Sequence, residues 1–190
     1  MPSASKASRF FERADQREYL LCQAINRSVR FRPISGHFRT VSRLGDGWFW
    51  YALILALPLF EPVTGPGLAL LMTLTGLTCT VTYKLLKRWL IRERPFISFP
   101  SINCGTPPLD RYSFPSGHTL HAVCFQVMLM AALPGLALYI LPFTLSVAAS
   151  RVVLGLHYPS DVLAGAVIGG TIGYLSVHQL LGAALATIAG

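Results

Sequence analysis

The chain has 190 residues, 53% of them hydrophobic and 13% charged, with a net charge of +8. Soluble domains carry about a quarter of their residues charged, so one water-soluble core of this size is excluded. The positive charge could suit nucleic acid, but no basic stripe lies on a polar module, and anionic lipid headgroups account for it better.

Residues 1–46 hold nine Lys/Arg against four Asp/Glu. Within them, Leu20, Leu21, Ala24, Ile25 and Val29 are set among Arg17, Arg27 and Arg30. That spacing over 18–31 predicts an amphipathic helix lying at a membrane surface. No secretory signal is visible, because the first apolar run comes late and has no small-residue cleavage site.

Beyond this region the charges are clumped. None falls in 47–60, 62–83, 112–150 or 162–190, counting His as neutral. About 20 apolar residues cross a bilayer as a helix, and Pro134-Gly135 divides the longest run. Five spans are expected, at about 47–63, 66–86, 117–133, 135–153 and 161–182, the first cut short by Glu61-Pro62. The fold class is therefore all-α, an integral membrane bundle of about five to six transmembrane helices over 47–190. Cys22, Cys79, Cys104 and Cys124 lack paired or metal-ligand spacing and read as small apolar side chains, with Cys104 a loop thiol.

Three short segments carry the chemistry: Lys87-x6-Arg94-Pro95, Pro115-Ser116-Gly117-His118, and Ser150-Arg151-x5-His157-x3-Asp161. Lys87 and Arg94 are seven apart, two turns on one face if the helix continues, and Arg94 ends it because Pro95 follows. Taken alone they are an ordinary basic cluster beside headgroups. Ser116 suits an N-cap, and Gly117 lets an anion approach the positive end of the next helix. His118 stands at that mouth. His121, one turn on, reads as a packing or interfacial residue, and His37 and His178 have no chemical company. Arg151 ends an uncharged run, where a charge often only snorkels to the surface, but the His157 motif beside it makes phosphate contact the better reading. Asp161 is near enough to hold one ring nitrogen of His157, leaving the other free to attack.

The ordered trio resembles the lipid phosphate phosphatases of the type-2 phosphatidate phosphatase superfamily, relatives of the vanadium haloperoxidases, over roughly residues 84–170. The resemblance implies His157 as nucleophile through a phosphohistidine, oriented by Asp161, with His118 as general acid and then base. It implies that Lys87, Arg94, Arg151, Ser116 and the Gly117 N–H cradle the phosphoryl oxygens. No carboxylate cluster suggests a catalytic metal, so metal-independent hydrolysis with no cofactor is expected. The partners are a lipid phosphate substrate and membrane lipids, not nucleic acid. Undecaprenyl diphosphate is the first substrate choice; phosphatidate or phosphatidylglycerophosphate is the second. A lipid-to-lipid phosphotransferase and a non-catalytic lipid transporter stay open. The enzyme is expected in the inner (cytoplasmic) membrane, and the basic N-terminal stretch points its site to the cytoplasm.

Overall fold

The structure is a computed structural model that describes the backbone of residues 6–189 and the side chains of residues 11–179. Among the described residues it is helical, with no strand. Helix α1 (Lys6–Asn26) passes through a tight 3-10 turn into α2 (Arg32–Arg43). A wider π-helical turn, Leu44–Trp48, then leads to α3 (Phe49–Phe60). Gly47 in that turn has φ 134°, a conformation open to glycine. The rest is α4 (Gly65–Trp89), the single turn α5 (Pro95–Ser98), α6 (Gly117–Ala132), α7 (Pro134–Val153) and α8 (Pro159–Ala189).

Helices α3, α4, α6, α7 and α8 coincide with the five expected spans. Three are long and apolar enough to cross a membrane: α4, α7 and, over Pro159–Gln179, α8. At 16 residues α6 is shorter, and α3 is shorter still. Its 12 residues rise only about 18 Å at 1.5 Å each, against a hydrocarbon core of about 30 Å. The charge-free run beginning at Gly47 thus overstates this span, because the π turn uses its start and Glu61-Pro62 follow Phe60. Side chains such as Leu55, Leu70, Leu74, Leu138, Leu145 and Val167 are exposed around the bundle. So wide an apolar surface is a membrane-embedded one.

Helix α6 is the axis of the bundle and packs on α8, α7 and α4. Its partnership with α8 rests on Gly165, Gly169 and Gly173, one per turn. A β-carbon there would lie 2.6, 2.1 and 2.7 Å from the carbonyls of Ser116, Leu120 and Cys124. With no side chain in the way the two backbones touch, as small residues at four-residue spacing allow in membranes. Between α6 and α7, Gln126 donates to the Ala137 carbonyl (2.9 Å) and accepts from Thr144 (3.0 Å), so its buried amide is satisfied.

The N-terminal helices pack onto the bundle. The side of α1 carrying Phe11, Cys22 and Asn26 is buried, while Leu20 and Leu21 are exposed. The Asn26 amide donates to the carbonyls of Asn103 and Val153 and accepts from the Asn103 N–H, tying α1 to the loop before α6 and to the end of α7. Arg39 of α2 donates to the Gly105 carbonyl (2.6 Å).

Candidate active site

The end of α4, the start of α6, the end of α7 and the start of α8 meet at one end of the bundle. This follows from an up-and-down course in which the chain turns back after each span. A cavity of about 500 Å³ opens there, lined by Lys87, Arg94, Gly117, His118, Arg151 and His157. Six of the eight predicted site residues therefore share one wall.

Lys87 and Arg94 do not sit on one helix. The helical run stops at Trp89, five residues sooner than expected, and Arg94 is extended (φ −81°, ψ 152°), as a residue before proline must tend to be. Both side chains still converge, and they do so on Asp110. The Lys87 ammonium donates to both Asp110 oxygens at 2.8 Å, and Arg94 Nη2 donates to Asp110 Oδ1 at 2.7 Å. Burial alone would raise the Asp110 carboxyl, but the two cations outweigh it and hold it below the usual carboxylate range. Asp110 was not singled out in the sequence, where one acid in a Pro-rich loop carries no signal.

His157 is buried (1% exposed) between α7 and α8. Arg94 Nη1, a donor without a lone pair to offer, lies 3.1 Å from its Nε2, so Nε2 must be the accepting nitrogen and Nδ1 carries the hydrogen. Nδ1 faces Asp161 Oδ2 at 3.6 Å, longer than a hydrogen bond. Asp161 is itself fully buried and off the cavity wall; its Oδ2 accepts from the Tyr158 N–H at 2.9 Å. Burial holds His157 well below the usual imidazole range, and the nearby charges of Arg94, Arg151 and Lys87 add to the effect. A neutral ring with its lone pair on Nε2 is the form that can attack an electrophile.

The remaining residues divide. Arg151 donates from Nη1 to Ser42 of α2 (2.6 Å), while its buried Nε has no partner and is available to an anion. His118 Nε2 pairs with Asp46 in the π turn before α3. That carboxylate sits 72 positions away, beyond the reach of motif spacing. Ser116 caps α6: its Oγ accepts from the Thr119 N–H and lies 2.9 Å from Thr119 Oγ1. Its hydroxyl is wholly buried behind the wall and does not line the cavity. His121 does line it, but Nδ1 is 2.9 Å from the Gly117 carbonyl, and Nε2 lies near the Gly76 carbonyl and Thr80 Oγ1, which occupies the ring. Below the cations the lining turns apolar with Trp50, Ile54, Leu55, Met72, Leu77 and Phe125. Leu55 and Leu77 are also 75% and 60% exposed, so the cavity opens sideways between α3 and α4.

Known proteins match this sequence and fold. The PAP2 superfamily profile covers residues 66–183. The chain belongs to the PAP2 superfamily. Decaprenylphosphoryl-5-phosphoribose phosphatase of Mycobacterium tuberculosis (strain H37Rv) is 32% identical over 85% of this chain and 90% of its own length. Undecaprenyl-diphosphatase of Sulfolobus acidocaldarius is 30% identical over 76% of this chain and 70% of its own. The transmembrane PAP2-type phosphatidylglycerolphosphate phosphatase of Bacillus subtilis has the same fold, with a TM-score of 0.68 at 24% identity over 94% and 96% of the two chains. The chain is thus a membrane-embedded member of the PAP2 phosphatase family, and the three relatives above act on lipid phosphates by name.

Proposed function

We propose that this PAP2 protein removes the terminal phosphate of a polyprenyl lipid, undecaprenyl diphosphate before others, by way of a phosphohistidine. One observation carries the reading: His157, its Nε2 beside Arg94, lines a cavity shared with Lys87, Arg94 and Arg151 whose other end is apolar and open at the flank. A phosphoryl group seated among these cations places phosphorus before Nε2, while its lipid tail leaves between α3 and α4. Arg94 gives up its contact with Nε2 as its N–H groups turn to the phosphoryl oxygens, which uncovers the lone pair. Nε2 then attacks phosphorus, the P–O bond to the leaving group breaks, and His118 supplies that oxygen with a proton. In the second step His118 takes a proton from water, whose oxygen attacks phosphorus and releases inorganic phosphate from His157. The three cations and the Gly117 N–H stabilise charge on the phosphoryl oxygens in both steps, the task that Mg²⁺ performs in many phosphoryl transfers. No metal takes part.

The polyprenyl choice is supported by the two relatives named above, both of which act on prenyl lipids by name. On the same proposal residues 6–46 lie at the membrane surface, with the exposed Leu20 and Leu21 in the headgroup region, and the nine basic residues keep this end cytoplasmic. The test is phosphate release by purified protein from undecaprenyl diphosphate, a polyprenyl-phosphosugar phosphate and phosphatidylglycerophosphate, with no acceptor lipid present. Release fastest from the first is expected, and none from the His157→Gln variant. Turnover that requires an added acceptor lipid would make the protein a phosphotransferase.

A further inference from the structure

Arg92 is part of none of the phosphate contacts, yet it is among the most deeply buried cations described, at 1% exposure. It lies between Lys87 and Arg94 in sequence and points the other way, toward α1 and the start of α8. Its Nη1 donates to Asp161 Oδ1 (2.6 Å) and to Ser160 Oγ (2.7 Å). Its opposite edge is held by α1: Nε and Nη2 are both 2.8 Å from Asp15 Oδ1, and Nη2 is 3.2 Å from Glu18 Oε1. The Tyr158 ring lies 4.0 Å from the guanidinium carbon. Glu18 also reaches α8 directly, accepting from the Ser160 N–H (2.8 Å) and hydroxyl (2.6 Å) at the end of the helix where a negative charge is favoured.

These contacts form one line from α1 to the nucleophile. Asp15 and Glu18 fix the plane of the guanidinium, the guanidinium fixes one oxygen of Asp161, and the other oxygen faces His157 Nδ1 at 3.6 Å. A carboxylate held by one oxygen can still turn about its own bond. Held by Arg92 on Oδ1 and by the Tyr158 N–H on Oδ2, it cannot turn away from the ring. A buried ion pair adds little to stability over apolar groups of the same size, so stability alone does not account for one cation set among three carboxylates.

We infer that Arg92, with Asp15 and Glu18 of α1 behind it, is a positioning residue for the reaction. Through Asp161 it keeps the hydrogen of His157 on Nδ1 and the lone pair on Nε2. The N-terminal region thereby belongs to the catalytic unit. The inference rests on the proposed role of His157 as nucleophile.

The experiment compares wild type with Arg92→Gln, Arg92→Lys and the double variant Asp15→Asn/Glu18→Gln, full length in detergent. The ¹⁵N shifts of the His157 ring, assigned by their loss in His157→Gln and compared in an Arg94→Ala background where no donor covers Nε2, report the tautomer without any substrate. Kinetics follow on whichever lipid phosphate the wild type hydrolyses. Outer partners of metal-bound histidines matter by about 10- to 100-fold, and a loss of the same order is expected in kcat for Arg92→Gln, with KM little changed and the two tautomers mixed. Arg92→Lys should recover part of the loss, since an ammonium can reach Asp161 or Asp15 but has no fork to hold both. The double variant should move kcat and tautomer in the same direction, and it decides the matter should Arg92→Gln fail to fold. Lower melting temperatures with a wild-type tautomer and wild-type kcat would overturn the inference and leave the network structural. A wild type that hydrolyses no lipid phosphate would defeat the proposed function, while the tautomer comparison would still decide whether Arg92 positions His157.

Discussion

Arg94 Nη1 sits 3.1 Å from His157 Nε2, so the nitrogen proposed to attack is covered at rest by a group proposed to hold the phosphate. On the proposed mechanism one guanidinium does two things: it covers Nε2 at rest and moves to the phosphoryl oxygens when they arrive. Lysine can donate to Nε2 but cannot hold the Leu156 and Asp110 carbonyls and the Asp110 carboxylate at once, as Arg94 does. Arg94→Lys is expected to lower kcat/KM on the order of tenfold or more, equivalent to about 1.4 kcal/mol of transition-state binding. Steady-state kinetics with wild-type values would reduce Arg94 to a charge near the headgroups.

Asp46 should matter through His118. The pair places a carboxylate on one nitrogen of the imidazole that is to protonate the leaving oxygen. His118→Ala is expected to slow the reaction by about 10²- to 10⁴-fold, and Asp46→Asn by less. Both losses should shrink on a substrate with a nitrophenol leaving group, which departs without a proton. Equal losses on lipid and nitrophenyl substrates would take His118 out of the acid's role. His121→Ala, whose ring nitrogens are already engaged, should change rate little.

The glycine face of α8 offers a comparison inside one helix. Gly169→Ala puts a β-carbon 2.1 Å from the Leu120 carbonyl, whereas at Gly170 the nearest atom, on Val123, is 3.7 Å away. Overpacking of this kind typically costs about 1–3 kcal/mol. Gly169→Ala should therefore melt several degrees below wild type in detergent, with Gly170→Ala close to it. Equal melting temperatures would mean that α6 and α8 are not in contact along this face.

Turnover should survive excess chelator, because Lys87, Arg94 and Arg151 supply the charge. Vanadate should inhibit, since it can take up the trigonal bipyramidal shape of the transition state. Loss of activity in chelator that Mg²⁺ restores would require a metal in the mechanism.

His157 also gives stability a pH dependence of known sign. Its folded-state value lies well below the ordinary one, so the unfolded chain takes up this proton first as pH falls through about 6.5. Stability from this group is complete above that pH and is lost progressively below it. Melting temperatures from pH 7.5 to 5 should fall less steeply in His157→Gln than in wild type. Parallel curves would show that His157 is protonated in the folded protein.

Much of this molecule was legible in order along the chain. Uncharged runs mark the membrane helices, since a bilayer admits few other solutions, and the three motifs bring Lys87, Arg94, Gly117, His118, Arg151 and His157 to one cavity. What was not legible came from distance in sequence. Asp110, Asp46 and Arg92 are ordinary loop charges until the fold brings Arg94, His118 and Asp161 beside them. The early end of α4 at Trp89 is not legible, because Pro95 marks where a helix can no longer run, not where it stops. The spacing of Gly165, Gly169 and Gly173 was readable, but small residues also suit a lipid-facing surface, so their meaning depends on knowing that α6 lies opposite.

The brevity of α3 has a consequence for where substrate comes from. A helix of about 18 Å reaches through little more than one leaflet, so hydrophobic mismatch should draw the bilayer thin along the flank where the cavity opens. Headgroups in a thinned patch ride lower, toward the level of Leu55 and Leu77. A phosphorylated lipid drifting there already has its charge near Lys87 and its chain beside the opening, and it can enter by lateral diffusion without being lifted out of the membrane.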